Sequence, residues 1–349
     1  MSLTSQPLPV AEFMAAREHQ PVVDVRTPAE FAKGHMPGAV NLPLFSDQER
    51  AVVGTRYKHE GRQAAILQGL DYVGPKMRTL LEQADRVIEG DSLLLYCWRG
   101  GMRSQSLAWL MELYGYQTHT LAGGYKSFRN YVLESFELTA HPIILGGKTG
   151  SGKTDILKQL AVRGQTIIDL EGMAGHKGSA FGGIGQPAQP SQQLFENRLG
   201  LTWRKHCSAP LMWVEDESYY VGQRLIPKPV WTQLQAALTL FIEMPLDLRI
   251  ERLLTEYGHQ DPALLAEAIL KIKKRLGGFC TQQALAALKR GDLKTCCAIL
   301  LEHYYDKAYL HGLAQKPPHQ VYRLEVTTAD PAQNAETILA SGLPDSLRE

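Results

Sequence analysis

The octapeptide Gly147-Lys148-Thr149-Gly150-Ser151-Gly152-Lys153-Thr154 satisfies G-x-x-x-x-G-K-[ST] at every fixed position. Few folds admit such a loop, because its amides converge on an anion only when a strand feeds it from inside a sheet and a helix leaves it. Pro142-Ile143-Ile144-Leu145 reads as that strand, Asp155 to Arg163 as the helix and Gly164 as its end. The loop amides and Lys153 are expected to bind a di- or triphosphate, with Thr154 placed to bind Mg²⁺. The motif specifies phosphate rather than ATP, since the diphosphate of an activated alkyl group needs the same neutralisation as it departs.

Downstream, Thr166-Ile167-Ile168-Asp169, Leu211-Met212-Trp213-Val214, Leu238-Thr239-Leu240-Phe241-Ile242 and Val321-Tyr322-Arg323-Leu324-Glu325-Val326 are strand-length runs. Helical stretches separate them, which is the pattern of a parallel α/β sheet. Asp216, within Val214-Glu215-Asp216-Glu217-Ser218, is the expected Walker-B-like carboxylate. Gly172 to Pro190, which includes Lys177, is aperiodic and rich in Gly, Pro, Ser and Gln, so it reads as a mobile substrate loop. From 262 to 313 the chain turns helical and basic. There Lys271, Lys273, Lys274, Arg275, Lys289 and Arg290, together with Lys177 of the preceding loop, are candidate RNA contacts, weighed against a merely solvated helix face.

The N-terminal half alternates in the same way. Val22 to Val25, Ala39 to Leu42 and Leu93 to Tyr96 read as strands, and Ser104 to Tyr114 as a helix that stops at Gly115. Between the last strand and this helix lies Cys97-Trp98-Arg99-Gly100-Gly101-Met102-Arg103-Ser104. A cysteine there collects backbone amides and the positive end of a helix dipole, which favour the reactive thiolate. Arg99 and Arg103 add positive charge, Gly100 and Gly101 let the backbone turn inward, and the sulfur is expected at the mouth of the loop.

Bulk properties narrow the class. Hydrophobic residues make up 44% and charged residues 21%, which is globular rather than disordered, and a chain of 349 residues exceeds one core. Two domains are expected, 1–137 and 138–349. No apolar run approaches a bilayer span, and the N-terminus lacks a basic and apolar leader, so the cytoplasm is the expected location. The five cysteines form no C-x2-C pair, which argues against a structural zinc site or a disulfide framework. With 37 Lys plus Arg against 36 Asp plus Glu, any RNA contact must come from a local patch.

The thiol loop, together with Asp24-Val25-Arg26-Thr27-Pro28-Ala29-Glu30-Phe31, Gly34-His35-Met36-Pro37-Gly38-Ala39-Val40-Asn41 and Leu121-Ala122-Gly123-Gly124-Tyr125, resembles the rhodanese sulfurtransferases, which carry a persulfide on such a cysteine. His35 reads as a structural turn residue. The spacing departs from Cys-x4-Arg: Cys97 to Arg103 is Cys-x5-Arg, the spacing of related phosphatases, whose larger loop suits a phosphorylated chalcogen donor such as selenophosphate. Fused to the phosphate loop, Asp169-Leu170-Glu171-Gly172 and His176-Lys177-Gly178-Ser179, the whole resembles the bacterial tRNA 2-selenouridine synthase family.

That resemblance implies a rhodanese-like α/β domain followed by a P-loop NTPase-like α/β domain with a helical C-terminal region. It further implies transferase chemistry on the wobble 2-thiouridine of tRNA. Geranyl diphosphate alkylates the sulfur, and selenium from selenophosphate then replaces the S-geranyl group. Cys97 is implied to relay selenium as a perselenide, with Arg99 and Arg103 beside it, while the P-loop holds the diphosphate and Trp98, Tyr219 or Tyr220 stacks the base. Two other readings stay open on the residues: an ATP-dependent kinase or adenylyltransferase-type sulfurtransferase, and a Cys-dependent phosphatase joined to a nucleotide-sensing module.

Overall fold

In the computed structural model, which describes residues 7–342, the apolar runs of the N-terminal half become a parallel sheet. Its strands are β1 (Pro7–Leu8), β2 (Val22–Asp24), β3 (Val40–Asn41), β4 (Ser92–Tyr96) and β5 (Gln117–Leu121), in the order β1-β5-β4-β2-β3. Flanked on both sides, β4 loses all exposure at Leu93, Leu94 and Leu95, which explains its unbroken apolar run. The helix at Met102–Tyr114 leaves the end of β4 through the thiol loop and stops at Gly115. β5 escapes a hydrophobicity reading because Gln117-Thr118-His119-Thr120 is polar, yet Thr118 and Thr120 are buried.

This unit runs to Ser135 and takes in Ser191–Gly200; Phe136–Pro190 and the chain from Leu201 onward form a second unit. In the first unit, Asn197 is fully buried and donates to the His35 carbonyl (2.7 Å) and to the Tyr125 hydroxyl (2.8 Å). The His35 ring stacks on Phe31 at 3.7 Å. Beneath the thiol loop, Arg26 pairs with Asp24 at 2.6 Å, donates to the Gly34 carbonyl at 2.7 Å and lies 3.8 Å from the centre of the Tyr125 ring.

The second unit is built on β6 (Pro142–Gly147), β7 (Ile167–Ile168), β8 (Met212–Glu215), a small hairpin of β9 (Tyr220–Val221) and β10 (Arg224–Leu225), β11 (Thr239–Glu243) and β12 (Val321–Glu325). The parallel sheet has the order β12-β11-β6-β8-β7. The chain therefore fills one side of β6 and then the other, so the carboxyl end of β6 is a topological switch point, where α/β sheets bind ligands. Ile143, Leu145, Ile156, Leu157, Trp213, Leu240 and Ile242 form its core.

The basic stretch is helical: Pro262–Lys271, Lys273–Leu276, Gly278–Lys289, Leu293–Leu300 and Asp306–Leu313, the last two joined by a π-helical turn at Leu301–Tyr305. These helices share a second core of Leu265, Ile269, Ala284, Leu288, Cys296 and Leu300. Phe181 packs into that core, so the segment 172–190 is anchored by an aromatic side chain. A turn of helix at Leu170–Ala174 opens it. No helix among the described residues is long and apolar enough to cross a membrane.

Both partners of the Asp24–Arg26 pair are at most 1% exposed, so losing one strands the other. Arg26→Met is expected to cost the first unit about 3–5 kcal/mol, read as an earlier urea midpoint for that unit. Replacing both residues by apolar ones should recover most of the loss.

Candidate functional site

The phosphate loop emerges from the end of β6, where Gly150 (φ +86°) and Gly152 (φ +76°) occupy left-handed conformations. At Gly152 a side chain would also press on the Arg252 guanidinium, 2.7 Å from an added Cβ. Lys153 donates to the Gly147 carbonyl at 2.9 Å, so its ammonium lies over the cradle. Arg249, 2% exposed, braces the loop from behind by donating to Thr149 O (3.2 Å) and to both oxygens of Asp306 (2.8 Å each). Lys148 stands 3.9 Å from the same Asp306.

Carboxylates crowd the loop's far end. The Thr154 hydroxyl donates to Glu171 at 2.6 Å, and the Glu171 amide donates to Glu215 at 3.2 Å. Glu215 is 1% exposed, and its second oxygen is without a partner. Burial and the negative charges of Glu171 and Asp169 push Glu215 up to about 8, and the same burial and neighbouring glutamates raise Glu217 well above the carboxylate range. Asp216 is engaged elsewhere: it accepts a hydrogen bond from the Tyr309 hydroxyl and lies 3.8 Å from Lys316. Tyr309 in turn accepts from the Gly147 amide at 2.9 Å.

The carboxylates joined to Thr154 through hydrogen bonds are Glu171, directly, and Glu215, through the Glu171 amide. The first sits in the run Asp169-Leu170-Glu171-Gly172, where Asp169 caps the short helix by accepting from the Gly172 amide at 2.6 Å. Such crowding, with a buried acceptor left over beside Thr154, suits a hydrated divalent cation held by few protein ligands. No three His, Cys, Asp or Glu side chains among the described residues converge as an all-protein metal cage would require.

A cavity of about 890 Å³ opens on this loop. Its polar lining includes Lys153, Thr154, Lys158, Lys177 and Arg252, with Glu171, Asp216 and Glu217 among the carboxylates. Its lining also includes the apolar Leu265, Ile269, Leu288, Cys296, Leu300 and Leu301 from the helical region. Burial pushes the Cys296 thiol up to about 12 and the Cys297 thiol up to about 11, so both present neutral, oil-like surface. Lys177 pairs with Glu256 and lies 5.7 Å from the Tyr257 ring centre, while Tyr219 packs on Trp231 at 5.3 Å.

In the first unit, the Cys97 sulfur accepts from the Gly101 amide (3.2 Å) and from the Ser104 hydroxyl (3.2 Å). The residue is only 3% exposed, so the sulfur lies at the floor of the loop and not at its mouth. Backbone packing is the reason. Gly100 (φ +65°) and Gly124 (φ +60°) let the loop rest on the chain after β5, and an added Cβ at Gly124 would collide with Gly100 N, Cys97 O and Arg99 N. The Gly123-Gly124 pair in the sequence is thus a seat for the thiol loop.

Arg103 donates to Glu30 at 2.7 and 3.3 Å. Burial alone would raise Glu30, but the Arg103 hydrogen bonds and charge hold it below the usual range. Arg99 is exposed, and Trp98 is 38% exposed beside Tyr125. The six basic residues Lys271, Lys273, Lys274, Arg275, Lys289 and Arg290 are all exposed, and none enters an ion pair among the described residues.

Because the folded pKa of Glu215 lies above its ordinary value of 4.5, the native state keeps a proton that the unfolded chain has released. Stability should therefore fall as pH rises from about 4.5 to about 8 in metal-free buffer. Glu215→Gln should melt like the parent at the acid end of this window and above it at the alkaline end. Melting curves that stay parallel across the window would refute this.

Sequence comparison places the two units. A model of the rhodanese-like domain matches residues 9–131, and a model described as tRNA 2-selenouridine synthase AAA domain matches residues 140–333. The tRNA 2-selenouridine synthase of Shewanella loihica is 37% identical, the alignment covering 90% of this chain and 93% of that protein. Those of Shewanella sediminis and a Sulfurovum species are each 38% identical, over 87% of this chain and 90% and 91% of theirs. The rhodanese-like unit, the P-loop unit with its parallel sheet and the helical region are those expected from the residues. At this identity over nearly the full length, the chain belongs to the tRNA 2-selenouridine synthase family of transferases.

Proposed function

We propose that this protein exchanges the sulfur of wobble 2-thiouridine in tRNA for selenium, in two steps and in the cytoplasm. The sulfur first attacks the terminal allylic carbon of geranyl diphosphate; the carbon–oxygen bond breaks, diphosphate leaves and the N3 proton goes to solvent. Selenium from selenophosphate then enters the same ring carbon as the S-geranyl group departs. The first step converts a poor leaving group into a good one.

The observation that carries this reading is the apolar cavity opening on the phosphate loop. A nucleotide needs a flat, polar base site, whereas a prenyl diphosphate needs an anion cradle continuous with an oily chamber. Ten carbons at about 30 Å³ each, the share of a liquid water, fill about 300 Å³. The cavity holds that with room left for diphosphate and base. Lys153 and the loop amides would take the leaving diphosphate, and Mg²⁺ held by Thr154 with Glu215 would supply further neutralisation. The exposed lysines and arginines of the helical region would grip tRNA phosphates near the anticodon, and exposed Tyr220 or Trp98 offers a stacking face for the unstacked base.

Reconstitution tests this with 2-thiouridine tRNA, geranyl diphosphate and selenophosphate, omitting one component at a time and reading nucleosides by mass spectrometry. Without selenophosphate the geranylated nucleoside should accumulate; Cys97→Ser should stop at the same point, and Lys153→Ala should yield neither product. A requirement for ATP would point instead to the kinase or adenylyltransferase reading. Cys296→Phe, which fills the cavity, should weaken geranyl diphosphate binding at least about tenfold, or about 1.4 kcal/mol, with tRNA affinity unchanged. Lys273→Glu with Lys274→Glu should weaken tRNA binding and flatten its logarithmic salt dependence by about 0.7–0.9 per lost contact; an unchanged slope would move the RNA surface elsewhere.

A further inference from the structure

We propose that Cys97 accepts the phosphoryl group of the donor and not its selenium: the thiolate attacks phosphorus, S-phosphocysteine forms, and hydrogen selenide anion is released to the alkylated nucleoside. The step rests on selenophosphate being the donor, as proposed above. The phosphorus–selenium bond breaks as the phosphorus–sulfur bond forms, and the proton stays on selenium. Water then attacks phosphorus, the thiolate leaves, and inorganic phosphate departs. At the nucleoside, selenide adds to the S-geranylated carbon, its proton passes to N3 and geranylthiolate is expelled.

Electron counting separates this route from a perselenide carrier. Selenium in selenophosphate is already at the selenide level, the level at which it must enter the base. Binding it to a cysteine as perselenide would oxidise it by two electrons, leave phosphorus reduced and demand a reductant afterwards. The phosphoryl route needs no redox partner.

The geometry agrees at three points. The Gly101 amide donates to the sulfur at 3.2 Å, and the Ser104 hydroxyl, 3.2 Å from the sulfur and 3.1 Å from the Gly101 carbonyl, is in place to turn its one proton to the sulfur as negative charge gathers there. Cys97 is 3% exposed, so cargo fixed to its sulfur is poorly placed for presentation to a bulky nucleoside, whereas released selenide is small and mobile. The loop from Cys97 to Ser104 holds no acidic residue. An oxygen leaving group would need such a proton donor, but selenide leaves as a weakly basic anion. Arg103, oriented by Glu30, and exposed Arg99 supply the positive charge that a phosphoryl group requires.

The test uses the full chain with S-geranylated tRNA and selenophosphate, quenched in denaturant during turnover, and identifies the adduct on the Cys97 peptide. Phosphoryl and selenium adducts are nearly isobaric, so phosphorus-31 NMR and selenium's broad isotope envelope distinguish them. Ser104→Ala, which weakens the thiolate leaving group, should accumulate phosphocysteine at least about fivefold over the parent and show a burst of selenide matching the enzyme concentration. Selenium on Cys97, or normal 2-selenouridine formation with no phosphoryl adduct in either protein, would overturn the proposal. Failure of the parent enzyme to make 2-selenouridine would instead refute the function proposed above.

Discussion

A strand end buried in the interior of a parallel sheet is the constraint on which both sites depend. Such a strand releases its chain into a crevice lined by amides, and the next helix points its positive end at the same place. β4 delivers Cys97 in this way and β6 delivers Gly147 to Thr154. In each case the cradle needs backbone in places where a side chain would not fit, which is why glycines recur at Gly100, Gly124, Gly150 and Gly152.

Charge then divides the two cradles by task. Around Cys97 the charges are positive or already matched, Arg103 by Glu30 and Arg26 by Asp24, so an anion meets a field that was settled by folding. Around Thr154 the carboxylates outnumber their partners: Glu215 is buried with an oxygen unpaired, and Glu217 is pushed toward the neutral form. The first arrangement is complete without a cation. The second leaves a buried carboxylate oxygen that arriving positive charge would pair.

Apolar packing supplies the remaining element. Helices read from composition as a basic surface also have an inner face, and that face, with Phe181, forms a core of its own. Part of the same face walls the cavity, so Leu265, Ile269, Leu288, Cys296 and Leu300 serve the fold and the chamber at once. The π-helical turn at Leu301–Tyr305 places both of its end residues on the cavity wall, a local widening of the kind often found at functional sites.

Much of this was legible in the residues. Short, mostly apolar runs located β2, β4, β6, β8 and β11, since a strand covered on both faces has no reason to alternate, and the two glycine-rich loops announced anion cradles through backbone freedom alone. Polar β5 was hidden because its burial comes from neighbours. Glu171 stood in the run Asp169-Leu170-Glu171-Gly172 with no role attached, and Glu215 and Tyr309 were silent, because their importance lies in what they face. Sequence by itself determined the local chemistry: which loop has the glycines and amides of an anion cradle, which cysteine is held by amides, which helices carry positive charge. Only the tertiary structure decided that Cys97 lies at the floor of its loop, that Asp216 is engaged by Tyr309 and Lys316, and that an apolar chamber opens on the phosphate loop. Burial and cavities arise from contacts between segments distant in the chain, and no local pattern encodes them.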